Sequence, residues 1–166
     1  HVVLCDYLTD NPGQYVADEY IPVSTTAEKA VLKIAEQQKI DGIVAYASDP
    51  AAPTAAYVGN ALALPSNPYE SVVTLCHKDR YRKFLRKSGF HAPEAASFTS
   101  CGEALDFFHS IGEEALVKPT DSSGSKGVSW IQTKEDFEKA FHRAMAFSRC
   151  KRVLVEQPIR NKYSFI

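Results

Sequence analysis

The residues best suited to chemistry lie between positions 115 and 131, in the stretch ALVKPTDSSGSKGVSWI. Lys118 is near the end of an apolar run that is typical of a strand, and a loop of small polar residues follows it. The loop contains Ser122, Ser123, Gly124, Ser125, Lys126 and Gly127. Small residues let backbone N–H groups approach an anion, and glycine adopts the positive φ angles that such a nest needs. Because a lysine at the strand end adds a positive charge, the pattern predicts a loop that covers nucleotide phosphates.

The residues after this loop distinguish it from a phosphate loop of the GxxxxGK type, which leads directly into a helix. Val128, Trp130 and Ile131 alternate with Ser129 and Gln132, and such alternation is typical of a strand. The sequence therefore predicts a hairpin whose tip is the glycine loop. An ordinary flexible hairpin turn would account for the same residues, so the loop alone does not decide between the two interpretations.

A second group of charged residues lies in the basic stretch TLCHKDRYRKFLRKSGF, residues 74–90. Lys78 lies near the start of the helix predicted here, where the helix dipole also favours an anion. A buried stripe is expected on this helix, formed by Tyr81, Phe84, Leu85 and Ser88. A solvated basic face is the alternative for most of the six cations, which are Lys78, Arg80, Arg82, Lys83, Arg86 and Lys87.

A third feature is the stretch RVLVEQPI, residues 152–159, which predicts a strand that runs into Glu156. Pro158 follows, so the backbone groups beyond the glutamate are expected to lack sheet partners. Such groups can bind the edge of an adenine ring, and the Glu156 carboxylate could accept a hydrogen bond from the adenine amino group or a ribose hydroxyl. A surface glutamate at a strand exit is the alternative, and Lys118 could equally be a strand-end lysine whose stem covers apolar surface.

Strands and helices alternate in the N-terminal part of the sequence. The predicted elements are a strand at HVVLCD (1–6), a short strand at 20–23, a helix that begins at Thr25 with Glu28 in a capping box, a strand at GIVAY (42–46) and a helix from Thr54 to about Ala63. Such alternation indicates an α/β domain, in which a parallel sheet has right-handed crossovers.

The pattern changes at LPSNP, residues 64–68, which is typical of a linker. Beyond it the sequence predicts a helix at about 69–88 ended by Gly89, a helix from a Ser100–Glu103 capping box to Gly112, and a helix capped by Thr133 and Asp136. The core face of this last helix is expected to contain Phe137, Ala140, Phe141 and Ala144. With the hairpin and the strand at 152–159, these helices indicate an α+β region over residues 67–166.

Composition excludes several classes of function. Lys and Arg total 19 against 20 for Asp and Glu, so no global basic field favours nucleic acid. We find no apolar run of the ~20 residues that a membrane helix needs. The cysteines are dispersed and form no CxxC pair, which indicates reduced thiols in a cytoplasmic protein rather than a zinc site. They are Cys5, Cys76, Cys101 and Cys150. The five histidines show no metal-ligand spacing either, so we expect no metal site in this sequence.

Taken in order, three stretches resemble motifs of the ATP-grasp superfamily. They are HKDRYRKFLRKSGFHAP, LVKPTDSSGSKGV and VLVEQPI, and their order and spacing match across about residues 67–160. The sequence most resembles the carbamoyl-phosphate-synthase-like members, followed by biotin carboxylase and D-alanine ligase relatives. The resemblance implies a pre-ATP-grasp Rossmann-like domain over residues 1–66, short of its first strand, and a truncated first α+β subdomain of an ATP-grasp fold over residues 67–166.

The resemblance also implies roles for the site residues. Lys78 and Lys118 would contact the phosphates of ATP, and the loop Ser122–Gly127 would fold over the β- and γ-phosphates. Glu156, Gln157 and Ile159 would lie along the adenine, the last two acting through backbone atoms. The implied chemistry is ligation, in which ATP converts a carboxylate to an acylphosphate and an amine or other nucleophile then displaces phosphate. The partners are therefore small molecules, with homo-oligomer formation left open and the catalytic residues unknown.

Some parts of the sequence depart from the family pattern. The stretch RNKYSFI, residues 160–166, has no acidic residue where family members often place a ribose-binding glutamate, and Pro158 replaces a common aromatic residue. The family's magnesium ligands lie on later strands. Because the sequence begins at His1 within a predicted strand and ends at Ile166, we expect a piece of a longer ligase that is inactive by itself.

Two other classes of function remain open on the sequence alone. The first is a non-catalytic nucleotide-binding or regulatory module, which downstream acidic strands in the longer protein would argue against. The second is a Rossmann dinucleotide binder, although the sequence contains no GxGxxG motif. Titration with NAD and with ATP would separate a dinucleotide binder from an ATP-binding protein.

Overall fold

A computed structural model describes residues 1–160, and the chain divides into two compact units, His1–Cys76 and a second unit that begins at His77. The division falls where two helices are separated by His77, whose backbone is extended with φ −103° and ψ 113°. The sequence instead predicts one continuous helix at 69–88, which is wrong. The assignment of residues 1–66 and 67–166 to two named domains stays a prediction.

The first unit combines a parallel strand pair with three α-helices and a short 3-10 helix, Pro12–Tyr15. Its elements are β1 (Val3–Cys5), β2 (Glu19–Ile21), α1 (Glu28–Gln38), α2 (Ala52–Ala61) and α3 (Tyr69–Cys76). The two strands are parallel, as predicted, with Val3 opposite Glu19. Val31, Ala35 and Val58 form the buried core between α1 and α2. Within the described residues the sheet has two strands, so a Rossmann-like sheet stays a prediction.

The predicted strand at GIVAY is absent, because residues 42–46 form no ladder with another strand among residues 1–160. Val44 is 82% exposed and Tyr46 is 91% exposed. Apolar composition gave this segment strand character, but a strand needs a neighbour for its backbone hydrogen bonds. The prediction was therefore wrong for a tertiary reason rather than a local one.

The helix starts in the first unit also differ from the prediction. The capping box of Thr25 and Glu28 does not form, since the N-cap of α1 is Ala27, which makes no side-chain cap. The Ser24 hydroxyl instead accepts a hydrogen bond from the N–H of Thr26 at 3.3 Å, within the turn that precedes the helix. This local hydrogen bond competes with helix formation and delays the start of α1.

The second unit is an antiparallel four-stranded sheet with three helices, in agreement with the predicted α+β class. Its elements are α4 (Lys78–Lys87), β3 (Ala95–Phe98), α5 (Cys101–Ile111), β4 (Ala115–Pro119), β5 (Ser129–Ile131), α6 (Lys134–Phe147) and β6 (Val153–Glu156). The spatial order is β3-β6-β4-β5. The predicted hairpin of β4 and β5 is confirmed, with Leu116 opposite Trp130.

One face of this sheet is covered by α5 and α6. The buried residues of β4 alternate, so Ala115, Val117 and Pro119 lie on the core face, while Leu116 and Lys118 lie on the opposite face. The core contains Phe108 of α5 and the four residues predicted for the core face of α6, which are Phe137, Ala140, Phe141 and Ala144. The rings of Phe108 and Phe137 stack with centroids 5.2 Å apart.

Capping in the second unit follows the predicted positions only in part. Ser100 and Thr133 are the N-caps of α5 and α6, but neither caps a backbone N–H with its side chain. The Thr133 hydroxyl donates to the Asp136 carboxylate at 2.9 Å instead. Gly112 and Gly89 end their helices as predicted, with φ of 135° and 79°.

Helix α4 lies beside the edge strand β3, which the sequence analysis did not predict. It has no fully buried residue, and Phe84 is 48% exposed, so the predicted buried stripe is wrong. Arg86 instead donates to the outward carbonyl of Ala95 at 2.6 Å, and Arg152 donates to that of Ser97 at 3.0 Å. The two guanidinium groups occupy carbonyls that an exposed edge strand would otherwise offer to another chain.

Asp121 fixes the base of the glycine loop to the connection between α6 and β6. Its carboxylate accepts hydrogen bonds from the Ser148 hydroxyl and the Cys150 N–H, each at 2.9 Å. The Arg149 side chain donates to the Asp121 carbonyl. Burial by itself would raise the pKa of Asp121, but these two hydrogen bonds and the Arg149 charge together lower the pKa below its usual value. The charged form of Asp121 is therefore stabilised by folding.

The lowered pKa predicts a stability that depends on pH. An unfolded aspartate has a pKa of about 3.9, so the Asp121 carboxylate contributes fully above that pH, and its contribution is lost as the pH falls through the lower folded pKa. We expect Asp121→Asn to destabilise the second unit by about 1–3 kcal/mol at neutral pH and by less at an acidic pH, where the carboxylate becomes protonated. Fluorescence of Trp130, the one tryptophan, would follow urea unfolding. Asp106→Asn, an exposed helix position, is the control, and an Asp121→Asn effect that is equal at both pH values would contradict the prediction.

The core of the second unit yields another prediction. Phe137 is fully buried and Phe84 is half-exposed, so Phe137→Ala should cost about 3–5 kcal/mol, because it leaves a cavity. Phe84→Ala should cost below about 1 kcal/mol. Urea unfolding followed by Trp130 fluorescence would compare the two variants. Equal losses would show that α4 buries its apolar stripe as the sequence alone suggested.

Candidate functional site

The start of α4 and the end of β4 are held together by Lys78. Its backbone N–H donates to the Thr120 carbonyl at 2.9 Å, and its ammonium group donates to the Ser122 carbonyl. Lys78 and Ser122 are separated by 44 positions in sequence. The structure therefore brings two of the predicted site features together, because a cation in the first turn of a helix lies at the entrance of the glycine loop.

The backbone of the loop contains three residues in the left-handed region. Gly124, Ser125 and Gly127 have φ angles of 64°, 56° and 74°, and left-handed residues turn successive N–H groups to one side. The N–H groups of residues 123–125 donate to no other group among residues 1–160. Lys126 is exposed beside them, while Ser122 and Ser123 are half-buried. The loop tip can therefore accept an anion without breaking hydrogen bonds of its own.

Gly127 closes the loop against the core. A Cβ atom at this position would lie 2.9 Å from Phe147 and 3.0 Å from Pro119. The positive φ angle is a second reason why a larger residue does not fit. Gly124 shares the positive φ angle but faces open space, so the two glycines have different roles. Gly127 anchors the loop, whereas Gly124 shapes its tip.

A buried ion triad lies on the face of the sheet opposite to α5 and α6. Both oxygens of the Glu156 carboxylate hold a cation, since Oε1 pairs with the Lys118 ammonium and Oε2 accepts from Arg82 Nε at 2.9 Å. Glu156 is 3% exposed. It lies opposite Leu116 in the register of β4 and β6, so the diagonal neighbour Lys118 is on the same face. The Glu156 carboxylate is therefore not a surface group at a strand exit.

Helical spacing connects the triad to the loop entrance. Lys78 and Arg82 are four residues apart, so they lie on one face of α4. His77, the N-cap of this helix, has a lowered pKa, chiefly because burial disfavours its charged form and also because of the nearby Arg80 charge. Lysine and arginine therefore supply the positive charge of this region at neutral pH.

The predicted adenine-side residues follow β6. The N–H of Gln157 donates to the Glu94 carbonyl at 2.8 Å, so this N–H already has a partner within the protein. Gln157 is exposed, and Ile159 is 64% exposed. Of the stretch RNKYSFI, Arg160 is described and pairs with Glu114, while residues 161–166 lie outside the described part of the chain.

The sequence analysis did not identify three residues that shape this site. Arg82 was grouped with the solvated cations, although its spacing from Lys78 could have indicated a shared face. Asp121 lies two positions after the end of β4, and an acidic residue at the base of a loop is a candidate anchor. Nothing in the local sequence connects Arg149 to the loop, because its partner is 28 positions away.

Residues 1–160 contain neither a cluster of metal-ligating side chains nor a membrane-spanning helix. In this range no group of three or more His, Cys, Asp or Glu side chains could hold a metal ion. None of the helices described is both long enough and apolar enough to span a bilayer.

Comparison with curated proteins identifies relatives at moderate identity. The carbamoyl phosphate synthase large chain of Pyrococcus furiosus is 29% identical over 90 residues, which are 54% of this chain and 8% of that protein. Formate-dependent phosphoribosylglycinamide formyltransferase of Synechococcus sp. is 28% identical over 166 residues, covering 96% of this chain and 42% of that protein. The chain thus spans less than half the length of these relatives. No protein-family model matches it.

Solved structures show the same fold. L-amino acid ligase from Bacillus licheniformis superposes with a TM-score of 0.72 at 21% identity, covering 95% of this chain and 38% of that one. N5-carboxyaminoimidazole synthetase from Staphylococcus aureus, solved with ADP, has a TM-score of 0.66 at 20% identity and covers 96% of this chain and 41% of that one. The chain is thus similar in sequence to carbamoyl phosphate synthase and to the formyltransferase, and it shares the fold of these two solved proteins. Both similarities agree with the three ordered motifs, which resemble those of carbamoyl-phosphate-synthase-like ATP-grasp proteins.

Proposed function

We propose that this chain supplies the phosphate-binding part of an ATP-dependent carboxylate ligase. The observation that carries the proposal is the contact of Lys78 with both Thr120 and Ser122. Two motifs that are distant in sequence meet there, and each had independently predicted an anion. An ordinary flexible hairpin would not need a lysine from another element at its base.

The residues of the loop fit a polyphosphate. The N–H groups of residues 123–125 would donate to phosphate oxygens, and the Lys78 ammonium would compensate their charge. Lys118 would contact the same anion from the face of the sheet opposite to α5 and α6. Charge-assisted hydrogen bonds to phosphate are about twice as strong as neutral ones, so a loop with free donors and adjacent lysines is suited to this ligand.

The nucleoside would lie along the residues that follow β6. Since the Gln157 N–H is already donated to Glu94, the carbonyl of Gln157 and the backbone of Ile159 remain for the adenine edge. The solved relative from Staphylococcus aureus contains ADP, which supports a nucleotide at this fold. The Glu156 carboxylate would act on the cations of the site rather than on the adenine, because both of its oxygens already hold ion partners.

Bound ATP would transfer its γ-phosphoryl group to an oxygen of the carboxylate, which releases ADP and forms an acylphosphate. An amine or other nucleophile would then attack the acyl carbon and displace phosphate. The residues of this chain would bind and orient the phosphates and stabilise their charge, the main contribution of protein to phosphoryl transfer. The resemblance also implies Mg²⁺, to which we assign no ligand among residues 1–160. A small-molecule carboxylate and an amine are the substrate classes proposed for the whole protein.

Substitution of Lys118 tests the phosphate assignment. We expect Lys118→Ala to weaken ATP binding roughly tenfold to a hundredfold, because a charge-assisted contact is worth about 1.5–3 kcal/mol. Lys83→Ala, an exposed position on α4, should change the affinity less than about twofold. Calorimetry with ATP, and in parallel with NAD, would measure both. Equal ATP affinities for the two variants would contradict the assignment, and tighter binding of NAD than of ATP would favour a dinucleotide binder.

Hydrogen exchange tests whether the loop responds to nucleotide. Residues 122–126 contain no large apolar side chain, so little offsets the entropy of ordering them. We expect their amides to exchange fast without ligand and roughly tenfold slower with saturating ATP. The amides of β4, which pair with β6, should exchange slowly in both states and serve as the internal control. Slow exchange of the loop without ligand would argue against a nucleotide-dependent cover.

A further inference from the structure

We propose that Arg82 is a positioning residue that retains the Glu156 carboxylate when Lys118 turns from that carboxylate to a bound polyphosphate. This inference rests on the proposed function, because it concerns the same anion site. Arg82 is not among the phosphate-binding positions that the three motifs imply, so this role is additional to theirs. It also makes Glu156 a competitor of the anion for Lys118.

Burial makes the Glu156 carboxylate dependent on the cations beside it. Glu156 is 3% exposed, and the side chains of Lys118 and Arg82 are 12% and 20% exposed. A buried carboxylate that loses its cation is strongly destabilised. If Lys118 were the single cation beside Glu156, its move to a phosphate would leave the Glu156 carboxylate without a counter-ion. Because Arg82 holds the other oxygen, Lys118 can leave while the carboxylate remains paired.

The two cations beside Glu156 differ in flexibility. Lysine carries a compact charge on a flexible four-carbon stem, whereas the arginine guanidinium is a rigid planar donor. Arg82 meets Glu156 through Nε at 2.9 Å, a geometry that a small rotation of the Lys118 stem does not disturb. Lys118 is therefore the partner that can exchange one anion for another, and Arg82 is the partner that stays.

Arg82 lies on helix α4. Its helix also carries Lys78, on the same face, at the entrance of the glycine loop. The contact of Arg82 with Glu156 thus ties this face to β6, and the contact of Lys78 with Thr120 ties it to the end of β4. One helix face holds both the cation of the loop and the cation that stabilises the carboxylate.

The two substitutions in the triad should act in opposite directions. Glu156→Gln removes the competitor, so Lys118 is available and the affinity for polyphosphate should rise about tenfold. Arg82→Gln leaves Lys118 as the sole cation of Glu156, so the affinity should fall about tenfold. Arg82→Lys keeps a cation and should recover part of the loss. In the Glu156→Gln background the carboxylate is gone, and Arg82→Gln should then change the affinity less than about twofold.

The experiment is a titration of the 166-residue chain with inorganic tripolyphosphate and, separately, with ATP, followed by the NMR shifts of the loop amides. The variants are Arg82→Gln, Arg82→Lys, Glu156→Gln and the double variant, with Lys83→Gln as the exposed control on α4. Trp130 fluorescence would confirm that each variant folds. A variant that does not fold is replaced by its charge-preserving partner, Arg82→Lys or Glu156→Asp, for which smaller changes in the same directions are expected.

The outcomes separate this inference from the proposed function. Binding that weakens in Arg82→Gln, strengthens in Glu156→Gln and is insensitive to Arg82 in the double variant supports the inference. An equal loss from Arg82→Gln in both backgrounds would mean that Arg82 contacts the anion directly, and the inference would fall while the phosphate site stands. Absence of binding of either ligand to the wild-type chain would overturn both.

Discussion

A carboxylate buried in a protein must keep a cation beside it, and Glu156 imposes this constraint on the second unit. Its partners come from α4 and β4, so the ion pair with Arg82 holds the helix to the sheet. The same helix places Lys78 against the end of β4. The position of the loop entrance therefore depends on a carboxylate that is 38 positions away from Lys118 in sequence.

The glycine loop is fixed at both ends and open at its tip. Asp121 ties one end to the connection before β6, and Gly127 packs its backbone against Phe147 and Pro119 at the other. Between these anchors the N–H groups of residues 123–125 have no acceptor in the described part of the chain. The two ends of the loop are therefore held in place before a ligand arrives, whereas the tip becomes ordered when a ligand binds.

The two interpretations of the basic stretch both apply, but to different faces of α4. Lys78 and Arg82 point to the sheet and make buried or half-buried contacts. Lys83 and Lys87 are exposed, as a solvated face would be. Arg86 belongs to neither group, because it caps a carbonyl of the edge strand. Charge alone does not distinguish these roles, whereas the helical period and the partners of each residue do.

The sequence by itself determined the features that depend on local pattern. The hairpin with its glycine tip, the core face of α6 and the end of α4 at Gly89 follow from alternation, helical spacing and positive φ. Only the tertiary structure decided three other features. Residues 42–46 pair with no strand among residues 1–160, the predicted helix divides at His77, and Arg82 belongs to a buried ion triad. These outcomes depend on groups distant in sequence, because backbone pairing and charge burial are settled by the neighbours that folding supplies.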